Sequence, residues 1–280
     1  MRLGVHVSIA GKIYESIDRA KALGCDTVQI FSRNPRGWKS KGIAEEDVLE
    51  FRRRREKSGI YPVVVHIPYI INLASPDDSL YENSMRSYIE DIKEADLLGA
   101  DYFVTHMGSH KGRGEDFGLN RLAGALNQII DKARPSLVIL LEITAGGGSS
   151  LGYKFEHLKT VIGKIKKKGK MGVCFDTSHA FEAGYNVSTK DGLEDTVKKF
   201  DNIIGLEALK VIHLNDSRSD FNSHADRHWH IGKGKMGLGA FKRIVNHPKL
   251  KDIPFILETP KKTDRDDKMN MSTVRKLHRG

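Results

Sequence analysis

A closed parallel barrel of eight β/α units, the (β/α)8 or TIM barrel, is the fold class predicted for this 280-residue chain. Three observations predict it. Eight short apolar, often β-branched runs recur along the sequence, helical patterns fill the intervals between them, and the turn after the first run carries no dinucleotide-binding fingerprint.

The runs cover residues 3–7, 27–31, 63–67, 102–105, 137–143, 172–175, 211–214 and 254–257, each the length of a strand. Helical periodicity is clearest over 44–57, 79–98, 119–133 and 154–168, with Gly99 and Gly169 placed as C-terminal stops. The first turn reads Ser8-Ile9-Ala10-Gly11, unlike the Gly-rich phosphate turn of an open doubly wound sheet. Residues 145–150 are Gly-rich but lack the Gly-Lys-Ser/Thr ending of a nucleotide-binding loop, so they read as a tight connection. No repeat, Pro-rich linker or low-complexity stretch marks a boundary, and one domain spanning 1–280 is expected.

Composition excludes some classes. No run of eighteen apolar residues occurs, which argues against a membrane span. The N-terminus opens directly into Leu3-Gly4-Val5-His6-Val7 without the features of a signal peptide, so a cytoplasmic protein is expected. Cys25 and Cys174 form no CxxC or disulfide framework and read as small core residues. The net charge of +10 suits a polyanionic partner. Two basic runs, 52–55 and 164–168, fall within helical segments and read as solvated faces.

The chemistry sits where polar residues interrupt the apolar runs. His66 stands at the end of the third run, His106 of the fourth, Glu142 of the fifth, Asp176 of the sixth, His213 of the seventh and Glu258 of the eighth. In a parallel barrel all strand C-termini open on one face, so these six side chains converge there. His179, in Asp176-Thr177-Ser178-His179, and Asp226 and His228, in the long loop after the seventh run, join them. A lone His at a strand end is usually a hydrogen-bonded structural residue. Nine ionisable groups gathered on one face are costly to bury without a cation. They also exceed the four-ligand demand of one zinc ion, so two or three metals are implied.

Imidazole plus carboxylate without thiolate favours zinc, with manganese or iron as possible substitutes, over magnesium or calcium. Such a cluster suits phosphodiester hydrolysis: one ion lowers the pKa of a water, and others neutralise the phosphate and the leaving oxygen. No nucleophilic Ser or Cys is paired with a His in an evident motif, so attack by metal-bound hydroxide is the simpler expectation. Glu142 and Glu258 are the candidate catalytic carboxylates.

The motifs carrying these residues are His66-Ile67-Pro68-Tyr69-Ile70-Ile71-Asn72, His106-Met107-Gly108-Ser109-His110, Glu142-Ile143-Thr144-Ala145-Gly146 and Phe175-Asp176-Thr177-Ser178-His179-Ala180-Phe181. With His213-Leu214-Asn215-Asp216-Ser217, Asp226-Arg227-His228 and Leu257-Glu258-Thr259, the chain resembles the endonuclease IV family of apurinic/apyrimidinic (AP) endonucleases over nearly its whole length. The resemblance implies three Zn2+ ions. His66, His106 and Glu142 would hold the first, with Glu142 bridging to a second completed by Asp176, His213 and Glu258, and His179, Asp226 and His228 would hold the third. It further implies a monomer acting on double-stranded DNA, cutting 5′ to abasic sites to leave a 3′-hydroxyl and a 5′ deoxyribose phosphate, and cleaning blocked 3′ ends.

Arg36, Tyr69 and Ile70 occupy the positions that, in the family, enter DNA at the lesion. Ile70 stands where leucine is familiar, a volume-conserving change. Met107 and Lys233 also differ from familiar family forms, Lys233 placing a cation where an acid is common. A basic, aromatic rim is expected from Arg33, Arg36, Lys39, Lys41, Lys111, Arg113, Arg218, Lys233 and Lys235 with Trp38 and Trp229. Two rival readings stand beside this one. A metal-dependent sugar isomerase barrel would enclose a small substrate with fewer ligands and no basic rim. A non-catalytic nucleic-acid-binding protein with structural metals would bind DNA without turnover.

Overall fold

The computed structural model describes residues 1–38 and 42–278. In chain order the elements are β1 (Leu3–His6), α1 (Glu15–Leu23), β2 (Thr27–Phe31), α2 (Glu45–Ser58), β3 (Val63–His66), α3 (Asp78–Leu97), β4 (Tyr102–Thr105), α4 (Glu115–Ala133), β5 (Val138–Glu142), α5 (Phe155–Lys164), β6 (Met171–Asp176), α6 (Thr177–Glu182), α7 (Lys190–Ile203), β7 (Leu209–His213), β8 (Asp216–Ser217), β9 (His228–Trp229), α8 (Leu238–Asn246), β10 (Phe255–Leu257) and α9 (Asp264–Leu277). Eight strands close into a parallel barrel in the order β1-β10-β7-β6-β5-β4-β3-β2, as the sequence predicts, while β8 and β9 form a separate antiparallel ribbon. No described helix is long and apolar enough to cross a membrane.

Strand periodicity of two decides what fills the barrel. One parity of each strand faces the helices; the other faces inward, where Val64, Val104, Leu140, Cys174, Val211 and Ile256 form a compact apolar layer of their own. Two residues further along each of these strands, on the same parity, stand His66, His106, Glu142, Asp176, His213 and Glu258. The candidate ligands are thus the next inward layer, raised on a dry floor. Gly4 belongs to the same inward parity: a Cβ there would lie 1.9 Å from the Thr27 carbonyl oxygen, so only glycine lets β1 close against β2.

The outer ring follows from amphipathic helices. On α4, Leu119, Leu122, Ala123, Leu126, Ile129 and Ile130 recur at helical spacing and are buried against the sheet. Each large side chain so buried contributes roughly 1.5–3 kcal/mol relative to exposure. Gly99 does follow its helix in the left-handed region, at φ +73°.

Two expectations are corrected. The helix expected over 154–168 ends at Lys164, because Ile165 turns extended to bury its side chain and Asn127 Nδ2 donates to the Lys164 carbonyl. Gly169 therefore sits in the turn before β6, and Lys166 to Lys168 lie outside the helix. The basic run 52–55 is not merely a solvated face. Arg52 donates to the Leu97 carbonyl and Arg55 to the Gly99 carbonyl and Asp101, closing the C-terminal end of α3, whose last turn has no basic residue of its own.

Candidate metal centre

Glu142, fully buried at the end of β5, is the hub. Its Oε2 lies 3.1 Å from His66 Nε2 and 2.9 Å from His106 Nε2, and its Oε1 lies 2.8 Å from His213 Nδ1. Glu258 Oε2 approaches the same His213 nitrogen at 3.2 Å, with Asp176 Oδ2 at 3.9 Å. Among the described residues four overlapping groups result, each with ligand atoms within 4.8 Å of one another: three of imidazole and carboxylate, namely His66, His106 and Glu142; Glu142, Asp176, His213 and Glu258; and Asp176, His179 and His228; and a fourth of Glu142, Cys174 and His213. Asp226 joins the third through Oδ1, 3.2 Å from His179 Nε2.

Local structure explains the spacings. Asp176 caps α6: its Oδ1 accepts from the His179 backbone N–H at 2.9 Å, so Asp-x-x-His is a cap and the third residue of its helix. Asp226 and His228 arrive on the β8/β9 ribbon, in which Ser217 pairs with His228. Buried Glu182 anchors that ribbon by accepting from Ser217 Oγ and the Arg227 N–H. Asp226 is held at φ +48° and His224 at φ +54°, non-glycine residues in the left-handed region beside the cluster.

The second nitrogens decide what the site can hold. His66 Nδ1 is 2.7 Å from the Ile67 carbonyl, His179 Nδ1 is 2.9 Å from the Ile143 carbonyl, and His228 Nδ1 is 3.3 Å from the Glu258 carbonyl. Carbonyls only accept, so each ring keeps a proton there and turns its other nitrogen, the one free to ligate once deprotonated, toward the carboxylates. His179 Nε2 and His228 Nε2 thereby face each other at 3.2 Å. Once those nitrogens are deprotonated, lone pairs face lone pairs and carboxylates, an arrangement that a cation between them relieves. The donor set of imidazole and carboxylate, with second nitrogens anchored outward, fits a divalent transition-metal ion.

Charge supports this arrangement. Burial alone would push Glu142 up, but His106 and His213 outweigh it and hold the carboxyl well below its usual range. Burial also opposes ionisation of Asp176 and Glu258, yet both are held below their usual values, by His179 and His228 and by His213 respectively. Asp226 is lowered to about 2 by its hydrogen bond with His179. Against burial, Asp176 raises His228 to about 9. Cys174, expected as a small core residue, has its sulfur within 4.8 Å of ligand atoms of Glu142 and His213. Burial pushes its thiol up to about 12, so it stays protonated.

Tyr69 stands beside the cluster, 70% exposed, with its ring 6.4 Å from that of His66 and edge-on to Phe31 at 5.5 Å. Ile70 and Lys111 line the adjoining cleft of about 380 Å³ with Tyr69 and Asp226, and Arg36 is exposed on the loop after β2. Arg218 stacks on Trp229 at 4.9 Å, Lys235 pairs with Asp220, and Arg113 is exposed near Phe117. Lys233 points at the Met269 sulfur, and Trp38 is 40% exposed. Met107 is buried against the space that a Cβ on Gly152 would need, a packing role. Lys39 and Lys41 lie outside the described residues.

Arg33 is a correction. It is buried in a two-pronged pair with Asp91 of α3, Nε to Oδ1 at 2.6 Å and Nη2 to Oδ2 at 3.0 Å, and it also donates to the Gly37 carbonyl. Its charge is spent inside the protein, tying the loop that carries Arg36 and Trp38 to α3. Three further residues were not singled out by sequence: His6 and Gln29, on the inward parity of β1 and β2, and Asn215. Asn215 donates to Asp176 Oδ2 at 2.7 Å and accepts from the Glu258 N–H at 2.8 Å. Counting two residues on from Gly4 and Thr27 would have found the first two.

Residues 17–275 match the family model described as the xylose isomerase-like TIM barrel. A probable endonuclease 4 of Halothermothrix orenii is 48% identical over 266 residues, 95% of this chain and 96% of that protein. One from Methanoculleus marisnigri is 44% identical over 98% of each chain. The crystal structure of endonuclease IV from Thermus thermophilus superposes with a TM-score of 0.88 at 37% identity, covering 99% of this chain and 98% of that one. A D-psicose 3-epimerase, at 13% identity and a TM-score of 0.68, shares the fold alone.

Proposed function

Since the chain belongs to the endonuclease IV family within the xylose isomerase-like TIM barrels, we propose that it is a zinc-dependent repair endonuclease that hydrolyses the phosphodiester bond 5′ to abasic sites in duplex DNA. The products are a 3′-hydroxyl and a 5′ deoxyribose phosphate, and blocked 3′ ends are cleaned by the same hydrolysis. The single observation that carries the reading is the set of histidine nitrogens turned onto carboxylates while their second nitrogens are committed to backbone carbonyls, His179 against His228 above all.

His66, His106 and Glu142 would hold one zinc ion; Glu142, Asp176, His213 and Glu258 a second; His179, Asp226 and His228 a third. When bound, the ions lower the pKa of water and neutralise charge on the phosphate and the leaving oxygen. The protein does the rest. Glu142 keeps two sites within one carboxylate's span, and Glu258 closes the wall opposite it. Asp226, exposed at the mouth, would complete the third site on its solvent side. Tyr69 and Ile70 occupy the space a displaced base pair vacates, and Arg36 and Lys111 hold the flanking phosphates. The protein needs no partner subunit for this and acts as a monomer.

The test is an end-labelled duplex bearing one abasic site, incubated with purified protein beside an undamaged duplex. Incision on the 5′ side only, at the lesion only, with a product end that a polymerase extends directly, is the expected outcome. Cutting of the undamaged duplex at the same rate, or no cutting by metal-loaded protein, would overturn the reading.

A further inference from the structure

Gln29 is fully buried on β2, inside the barrel, where its strand register sets it beside His6. Its side-chain amide has both N–H donors and its oxygen engaged. Nε2 donates to Glu258 Oε1 at 2.5 Å and to His6 Nδ1 at 3.0 Å, and Oε1 lies 2.8 Å from His213 Nε2. The amide cannot be turned over: a flipped Gln29 would set its oxygen against the Glu258 carboxylate. With Oε1 fixed as an acceptor, His213 must carry its proton on Nε2, and Nδ1, the nitrogen 2.8 Å from Glu142 and 3.2 Å from Glu258, is left as the metal-facing lone pair.

We propose that Gln29 is the positioning residue of the central metal site: one amide sets both the tautomer of His213 and the rotamer of Glu258, and so determines the affinity of that site. This rests on the metal-centre reading above. His66, His179 and His228 borrow their acceptor from backbone carbonyls, which any sequence supplies. His213 alone among the anchored rings depends on a side chain, and that side chain also holds a second ligand. No backbone carbonyl can do both, since a carbonyl cannot donate to Glu258. Outer partners of this kind typically tune metal affinity by roughly 10- to 100-fold.

The experiment compares wild type with Gln29→Met, which keeps the volume and removes all three hydrogen bonds, and Gln29→Glu, which keeps the acceptor for His213 but sets a carboxylate against Glu258. Zinc retention is measured against a graded series of a competing chelator, and the melting temperature of each protein is measured after metal has been stripped. Wild type holding zinc at chelator levels that strip part of it from Gln29→Met, about 10- to 100-fold lower apparent affinity for that fraction, with little change in the metal-free melting temperature, is the expected result. Gln29→Glu should lose at least as much affinity, because repulsion displaces Glu258. Equal zinc affinity in Gln29→Met and wild type overturns the proposal, as does a variant whose metal-free protein melts as far below wild type as its loaded form. Wild type that binds no zinc overturns instead the metal-centre reading itself.

Discussion

His179 Nε2 and His228 Nε2 stand 3.2 Å apart, each ring having committed its other nitrogen to a backbone carbonyl. Without metal, that contact is relieved only by taking up protons, and the nearby Asp176 raises His228 to about 9 despite its burial. Metal uptake at pH 7 must therefore expel protons. Affinity should climb with pH, roughly tenfold per unit for each proton displaced, and level off near pH 9. Titration calorimetry in two buffers of different ionisation enthalpy reads the proton release directly; identical heats in both would count against it.

The metal-free protein should respond to pH in its own way. His228, raised from 6.5 to about 9, contributes stability that is complete below about pH 6.5 and is lost as pH rises through 9. Asp226, lowered from 3.8 to about 2, contributes stability that is complete above about pH 4 and is lost as pH falls through 2. The melting temperature of stripped protein is expected to plateau between about pH 4 and 6.5 and to fall on either side, and a maximum near pH 9 would contradict both shifts.

Glu142→Gln keeps the shape of the hub and removes its charge. Incision should fall by roughly 10³-fold or more, since the group shared by two sites is lost. The metal-free fold should lose about 3 kcal/mol, because His106 and His213 lose a buried counter-charge. Binding of abasic duplex is expected to persist. Denaturant melts, single-turnover rates and gel-shift affinities separate the three effects.

Tyr69, 70% exposed beside His66, and Arg36 should matter more at a lesion than on intact DNA. Tyr69→Ala is expected to weaken abasic-duplex binding by on the order of tenfold, the worth of a stacked base, with a smaller loss on undamaged duplex. Equal losses on both would remove Tyr69 from the lesion.

Arg33 and Lys111 should part company. Arg33→Met strands buried Asp91 and should cost about 3–5 kcal/mol in stability while leaving the salt dependence of DNA binding unchanged. Lys111→Ala should leave stability alone and reduce the slope of log affinity against log salt by about one. The reverse pattern would return Arg33 to the DNA-binding rim.

The contrast between those two residues shows what a linear sequence can disclose. Strands announce themselves by local composition, and a parallel barrel turns strand ends into neighbours, so His66, His106, Glu142, Asp176, His213 and Glu258 could be placed together before any geometry was known. Gln29 and His6 obey the same parity, yet glutamine is not a ligand type and His6 sits in an otherwise continuous apolar strand. Arg33 reads as one more loop cation until Asp91, 58 residues away, is folded beside it. The end of α5 is hidden for the same reason, because the donor to its last carbonyl is a non-local Asn127. What sequence conceals is the partner, and burial or exposure of a charge depends on the partner.

The most direct test of the metal-centre reading strips the purified protein with chelator, returns zinc in measured steps, and follows both bound zinc and incision of a single-abasic-site duplex. Activity should vanish on stripping and return as the chain fills toward three zinc ions. Incision that survives complete removal of metal, or a fully reloaded and folded protein that does not cut, would contradict the assignment of these nine side chains to the chemistry.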